Sequence, residues 1–164
     1  MTIEYLKSMK DNPKPRKGLS EMKGLTLERI LELEHELNNG NTFPVVYREY
    51  LYLGGEFNAL GFQTLADGKN GDDILICHNF VNEFLVKNNI NILKKPYIVL
   101  HLYDDDGFIF SYTDEGDDPK VYIFDPYDDF NKLNPSIEPV RNQPTLSEFV
   151  SKQVDLALKG LQPF

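Results

Sequence analysis

PYIVLHLYDDDGFIFSYTDEGDDPKVYIFDPYDD, residues 96–129, is the stretch whose reading decides the fold. Three runs rich in aromatic and β-branched residues, Tyr97–Tyr103, Gly107–Tyr112 and 120–124, are separated by Asp-Gly and Gly-Asp-Asp-Pro turn signals. Val, Ile, Tyr and Phe suit a pleated, half-buried surface, and Asp and Gly accept turn conformations that other residues resist. The spacing therefore predicts an antiparallel meander. The turns are acidic: residues 104–129 carry Asp104, Asp105, Asp106, Asp114, Glu115, Asp117, Asp118, Asp125, Asp128 and Asp129 against the single base Lys120, a net charge equal to the −9 of the whole chain. The remaining residues balance, so the excess acid belongs to the sheet turns. Such a surface repels nucleic acid and acidic membranes and attracts cations or basic proteins.

Helical signals flank the meander. TLERILELEHELN places Leu27, Ile30, Leu31, Glu34 and Leu37 at helical spacing behind Thr26 as N-cap, with Gly40 past the end. Pro44 at a first-turn position, with Val46, Tyr47, Tyr50 and Leu51, predicts a short helix ending at Gly54-Gly55, a pair expected to make a sharp or positive-φ turn. Residues 56–65 read as one or two strands broken at Gly61, and residues 66–73 as a polar loop. Asp72 or Asp73 caps a helix through Ile74, Cys77, Val81, Phe84 and Leu85. The last helix has Thr145 and Glu148 as a capping box, an inward stripe of Leu146, Phe149, Val150, Val154, Ala157 and Leu158, and Gly160 as its stop. Helices on either side of a mostly antiparallel sheet define a single α+β domain.

Residues 1–24 differ in composition, with six Lys or Arg and with Pro13 and Pro15 interrupting any long helix, and read as a partly basic arm before a domain at 25–164. A short helix through Ile3, Leu6 and Met9 and a linker at 12–18 are expected within it. At 164 residues the chain can bury a substantial core without cross-links. The single cysteine, Cys77, lies on an apolar helical stripe and reads as a buried thiol, and no apolar run approaches 18 residues. These features lead to the expectation of a soluble, cytoplasmic protein.

Catalytic templates fail on spacing. His35-Glu36 is followed by Asn39 where a zinc-protease helix needs His, and Gln63 and Asn70 stand where a phosphate loop needs Gly and Ser or Thr. His35, His78 and His101 are too dispersed for a His/Cys metal cluster, and one of them is expected in the core. Asp104 and Asp106 after a buried strand have the pattern of a metal-dependent hydrolase or transferase site, but a tight hairpin needs the same residues, and Leu102 and Thr113 occupy the terminal ligand positions of a calcium loop. No catalytic residue, metal or cofactor is assigned. Tyr112, Tyr122 and Tyr127 amid the carboxylates read either as aromatic anchors ringed by charge, the composition of a protein-binding surface, or as part of a solvated acidic face that keeps the protein soluble.

The order of these features resembles the SUKH superfamily. A helix bearing Leu27, Ile30, Leu33, Glu34 and Leu37, then Phe43-Pro44, Tyr47-Arg48, Leu51 and Gly54-Gly55, is similar to its N-terminal signature, with Phe43 where Leu is usual. Phe108 to Tyr112, Asp118-Pro119-x-Val121-Tyr122 and the closing helix at Leu146, Glu148 and Phe149 resemble the remainder. The resemblance implies a curved antiparallel sheet wrapped by helices and no shared catalytic residues. Glu34, Pro44, Tyr47, Arg48, Gly54 and Gly55 then serve the architecture, with a Glu34–Arg48 pair and a tie from Tyr47 or Arg48 to the sheet. Bacterial members are mostly immunity proteins that neutralise a toxin encoded nearby, often a nuclease, and fungal relatives regulate cell-wall glucan synthesis. The expected function is therefore a non-enzymatic immunity protein docking its acidic surface on a basic toxin domain. The alternative is an intracellular regulatory or scaffold module of the glucan-synthesis type.

Overall fold

The meander forms and extends by one strand beyond the sequence expectation. In the computed structural model, which describes residues 1–64, 73–103 and 106–163, β1 (Tyr97–Tyr103), β2 (Gly107–Tyr112), β3 (Tyr122–Tyr127) and β4 (Leu133–Pro139) make one antiparallel sheet in the order β1-β2-β3-β4. The third strand starts later than residue 120, because Lys120 bridges Thr145 and the Val121 N–H donates to the Pro144 carbonyl. The fourth was hidden by its composition: LNPSIEP holds Pro135 and Pro139. Proline lacks the N–H that a central strand must donate, yet at an edge it removes donors that would invite another chain.

Alternation along the strands gives the sheet two apolar faces. Ile98, Leu100 and Ile109 enter one cluster with residues of five helices. Tyr97, Val99, Phe108, Phe110, Tyr112 and Phe124 form a second cluster with Val81 and Leu85. All six residues of β2 are buried, since this central strand is covered on both sides. The fold is accordingly α+β, with five helices and an open four-stranded sheet among the described residues.

Four helices supply most of the helical part of the larger cluster, α1 (Lys7–Asp11), α2 (Leu27–Leu37), α3 (Val45–Gly54) and α5 (Leu146–Leu158), and Ile74 joins it from a fifth. The Thr26 hydroxyl accepts from the Arg29 N–H, and Thr145 and Glu148 complete their capping box. The buried face of α2 is rotated from the one expected. Ile30, Leu33 and Glu34 point inward, whereas Leu27 and Leu31 are 45% and 56% exposed, because α2 docks on α3 through only a narrow stripe. Leu158 likewise leaves the stripe of α5 and is exposed. The fifth helix, α4 (Ile74–Lys87), packs on β1 and covers part of the second face. Asp73 is its cap, accepting from Leu75 and Ile76. The polar loop expected at 66–73 falls outside the described residues apart from Asp73.

Gly54 and Gly55 do not make a positive-φ turn. Gly54 closes α3 and Gly55 stays in the right-handed region at φ −71°. Their role is close approach: a Cβ on Gly54 would lie 2.5 Å from the Met9 methyl, and one on Gly55 2.6 Å from the Leu51 carbonyl oxygen. Pro44 is the N-cap of α3, one position before the first turn. No strand forms over the described part of 56–65; Phe57 bridges Lys23 and Thr64 bridges Asp73 as isolated contacts, with Gly61 at φ +85° between them.

The first 24 residues pack as part of the same core. Leu6 and Met9 are buried in the larger cluster, the Ser8 hydroxyl donates to Ser151 on α5, and Arg16 donates to the Leu161 carbonyl. Only α1 is helical there, beginning after Ile3 and Leu6. Its anchor is Glu49 on α3, a fully buried carboxylate that accepts the backbone N–H groups of Glu4, Tyr5 and Leu6. Among the described residues no helix is long and apolar enough to cross a membrane.

Candidate protein-binding surface

A meander returns the chain to the opposite end of the sheet at every turn, so its turns alternate between two ends. With strands of six or seven residues, those ends are about 20 Å apart. The acidic band, continuous in sequence, is therefore divided. Asp106, Asp125, Tyr127, Asp128 and Asp129 gather where the β1–β2 and β3–β4 turns meet, and the Tyr127 hydroxyl joins the two by donating to Asp106 at 3.3 Å. Asp114, Glu115, Asp117 and Asp118 occupy the β2–β3 turn at the other end. Asp104 and Asp105 lie outside the described residues.

The β2–β3 end spends much of its charge internally. Glu115 is 3.2 Å from Lys95 and accepts from the Tyr122 hydroxyl, and Asp114 is 3.8 Å from the same Lys95. The hydrogen bond to Glu115 holds the Lys95 ammonium above its usual pKa. Burial, then that carboxylate, pushes the Tyr122 hydroxyl up to about 12. Asp118 accepts both the backbone N–H of Ser147, at 2.8 Å, and its hydroxyl, at 2.6 Å, and so fixes the start of α5. Asp117 is exposed, while its carbonyl accepts the Val46 N–H and ties α3 to this loop. Tyr47 is buried between the rings of Phe43 and Tyr50, in the cluster that also holds Ile98, Leu100 and Ile109 of the sheet.

Tyr112 is not an exposed anchor. It is only 9% exposed, packed edge-on to Phe110 with Lys95 over its ring at 5.1 Å. Its position facing α4 follows from the strand period, which puts it in line with Phe108 and Phe110. Tyr122 and Tyr127 are half-buried.

At the other end the carboxylates shape the turn and stay at the surface. Asp128 Oδ1 accepts from Phe130 at 2.9 Å and from Lys132 at 3.1 Å, and Asp125 Oδ1 accepts from Tyr127 at 3.1 Å. Asp125, Asp129 and Glu138 are exposed. Burial, then the charges of Asp125 and Glu138, raises the Tyr103 hydroxyl to about 12. The hairpin glycine works differently from expectation: Asp106 takes the left-handed conformation at φ +65°, and Gly107 is needed because a Cβ would lie 2.5 Å from the Tyr103 ring. A cleft of about 330 Å³ runs beside this end between α4 and the turns, lined by Phe80, Glu83, Phe84, Lys87, Asp106 and Tyr127.

Elsewhere, Glu34 accepts the Phe43 N–H at 2.8 Å and sits 3.3 Å from Arg48 Nε, so the pair that the resemblance implied is present. Cys77 is buried with its thiol 3.2 Å from Gln63. His78 is the core histidine, its Nδ1 buried without a hydrogen-bond partner and its pKa lowered to about 4 by burial. Among the described residues no three His, Cys, Asp or Glu side chains converge as a metal site. No family model, curated protein or solved structure matches the chain.

Proposed function

We propose that the protein is a non-enzymatic binding protein of the immunity type, which neutralises a toxin by occupying a basic surface with the acidic end of its sheet. The observation carrying this reading is the convergence of two sequence-distant turns, joined by Tyr127 and Asp106, into one surface bearing Asp125, Asp128 and Asp129. Nuclease clefts are basic because they bind phosphates, so an acidic protein can take the place of nucleic acid there. The resemblance of Glu34, Phe43-Pro44, Tyr47-Arg48 and Gly54-Gly55 to the SUKH signature adds the immunity class and a cytoplasmic setting.

The test is to express the C-terminal domain encoded by the adjacent open reading frame, titrate it with this protein at low and high salt, and follow growth with and without co-expression. Nanomolar binding that weakens steeply with salt, together with rescue of growth, is the expected result. Absence of both would overturn the proposal and favour the regulatory-module reading.

A further inference from the structure

Phe130 is 89% exposed, the most exposed large apolar side chain among the described residues. It is not on a loose loop. Asp128 holds the turn through the N–H groups of Phe130 and Lys132, the Asn131 N–H donates to the Asp128 carbonyl, and the Asp128 N–H donates to Lys132. Asn131 completes the turn at φ +55°. Leu133, also exposed, pairs across the hairpin with Tyr127. The outcome is a hydrogen-bonded turn that presents two exposed apolar side chains beside carboxylates.

We propose that Phe130, with Leu133 beside it, is the anchor that enters an apolar pocket rimmed by Lys and Arg on the partner protein. The inference rests on the binding function proposed above and names the residue that carries its affinity. Charge complementarity selects the occupant. Asp125, Asp128 and Asp129 precede the tip, with Lys132 the base within the turn, so a second copy docking through the same acidic end or an anionic membrane would bring like charge to it. The turn's hydrogen bonds hold the backbone beneath the ring, so docking has little more than the side chain itself to order.

The experiment compares wild type, Phe130→Ala and Phe130→Leu against the neighbouring toxin domain by calorimetry and stopped-flow. Phe130→Ala is expected to weaken Kd about 100-fold through faster dissociation, with association and its salt slope nearly unchanged, and Phe130→Leu to keep binding within about tenfold. Because the side chain is exposed, both variants should melt within about 3 °C of wild type. Wild-type binding with an unaltered Kd in Phe130→Ala would overturn the anchor and leave the binding function standing. No wild-type binding would overturn both. Sedimentation showing a wild-type dimer that Phe130→Ala abolishes would assign the tip to a second copy and overturn the proposal.

Discussion

Glu49 Oε2 accepts the backbone N–H of Leu6 at 2.8 Å from a carboxylate with no solvent exposure, joining α3 to a segment 43 residues earlier in the chain. Its other oxygen takes the Glu4 N–H at 2.6 Å. Hydrogen bonds to a charged acceptor contribute about 1.5–3 kcal/mol each, and removing the acceptor leaves buried donors unsatisfied. Glu49→Ala is therefore expected to cost roughly 3–5 kcal/mol, and Glu49→Gln, which keeps one acceptor, less. Urea unfolding gives the magnitude. Hydrogen exchange at Leu6 gives the location, with protection lost in the Ala variant while that of β2 falls only with global stability.

Gly24 lies against the backbone of Tyr52, and a Cβ there would collide with that carbonyl. Gly40 has φ +78° and open space around its Cα. Two glycine-to-alanine changes should thus differ sharply. Gly40→Ala carries only left-handed strain of about 1 kcal/mol, whereas Gly24→Ala must push the N-terminal segment off α3 and is expected to cost more than about 3 kcal/mol. Comparable melting temperatures for the two variants would contradict the packing described.

His78 contributes a pH dependence of definite sign. Its pKa falls from 6.5 to about 4 on folding because burial disfavours the imidazolium. The unfolded chain therefore binds more protons between these values, and stability is full above pH 6.5 and declines as the pH falls toward 4. The shift corresponds to about 3 kcal/mol over that window. His78→Leu should flatten the acid limb between pH 6.5 and 4. An NMR titration of His78 with a midpoint near 6.5 in the folded protein would rule the effect out.

The division of the acidic band makes the two ends separable by mutation. Asp125→Asn with Asp129→Asn lowers the charge beside the Phe130 tip, while Asp114→Asn with Asp117→Asn alters the opposite end, about 20 Å away. Toward a basic toxin domain the first pair is expected to slow association by about tenfold at low salt and the second by less than about twofold. Equal effects would place the interface elsewhere than the joined turns.

Local chemistry was legible without the structure. Thr26, Asp73 and Thr145 cap helices whose N–H groups lie two or three residues away, and the β1–β2 hairpin and the meander follow from a period of two and its turn residues. The buried Cys77 was within reach of helical spacing, whereas the Glu34–Arg48 pair, which joins two helices, was implied only by the resemblance to the SUKH signature. Less was legible where a partner lies far off. Leu27 and Leu31 share the apolar period of α2 but face solvent, because the period marks a stripe without saying how wide a neighbour covers it. Gly54 and Gly55 read as a turn, when their reason is the approach of Met9, Leu51 and Leu25.

The candidate surface shows the same boundary. Sequence alone determined that this chain is an α+β domain whose excess negative charge resides in the turns of its sheet, because composition, period and turn preference act within a few residues. Only the tertiary structure decided which of those charges stand together. Strand pairing sends alternate turns to opposite ends, Lys95 and Ser147 engage one set, and the Asp128 turn holds Phe130 out beside the other. The Asp128 turn is local, but the engagement of Lys95 and Ser147 depends on contacts between segments some twenty or more residues apart, which no local preference encodes.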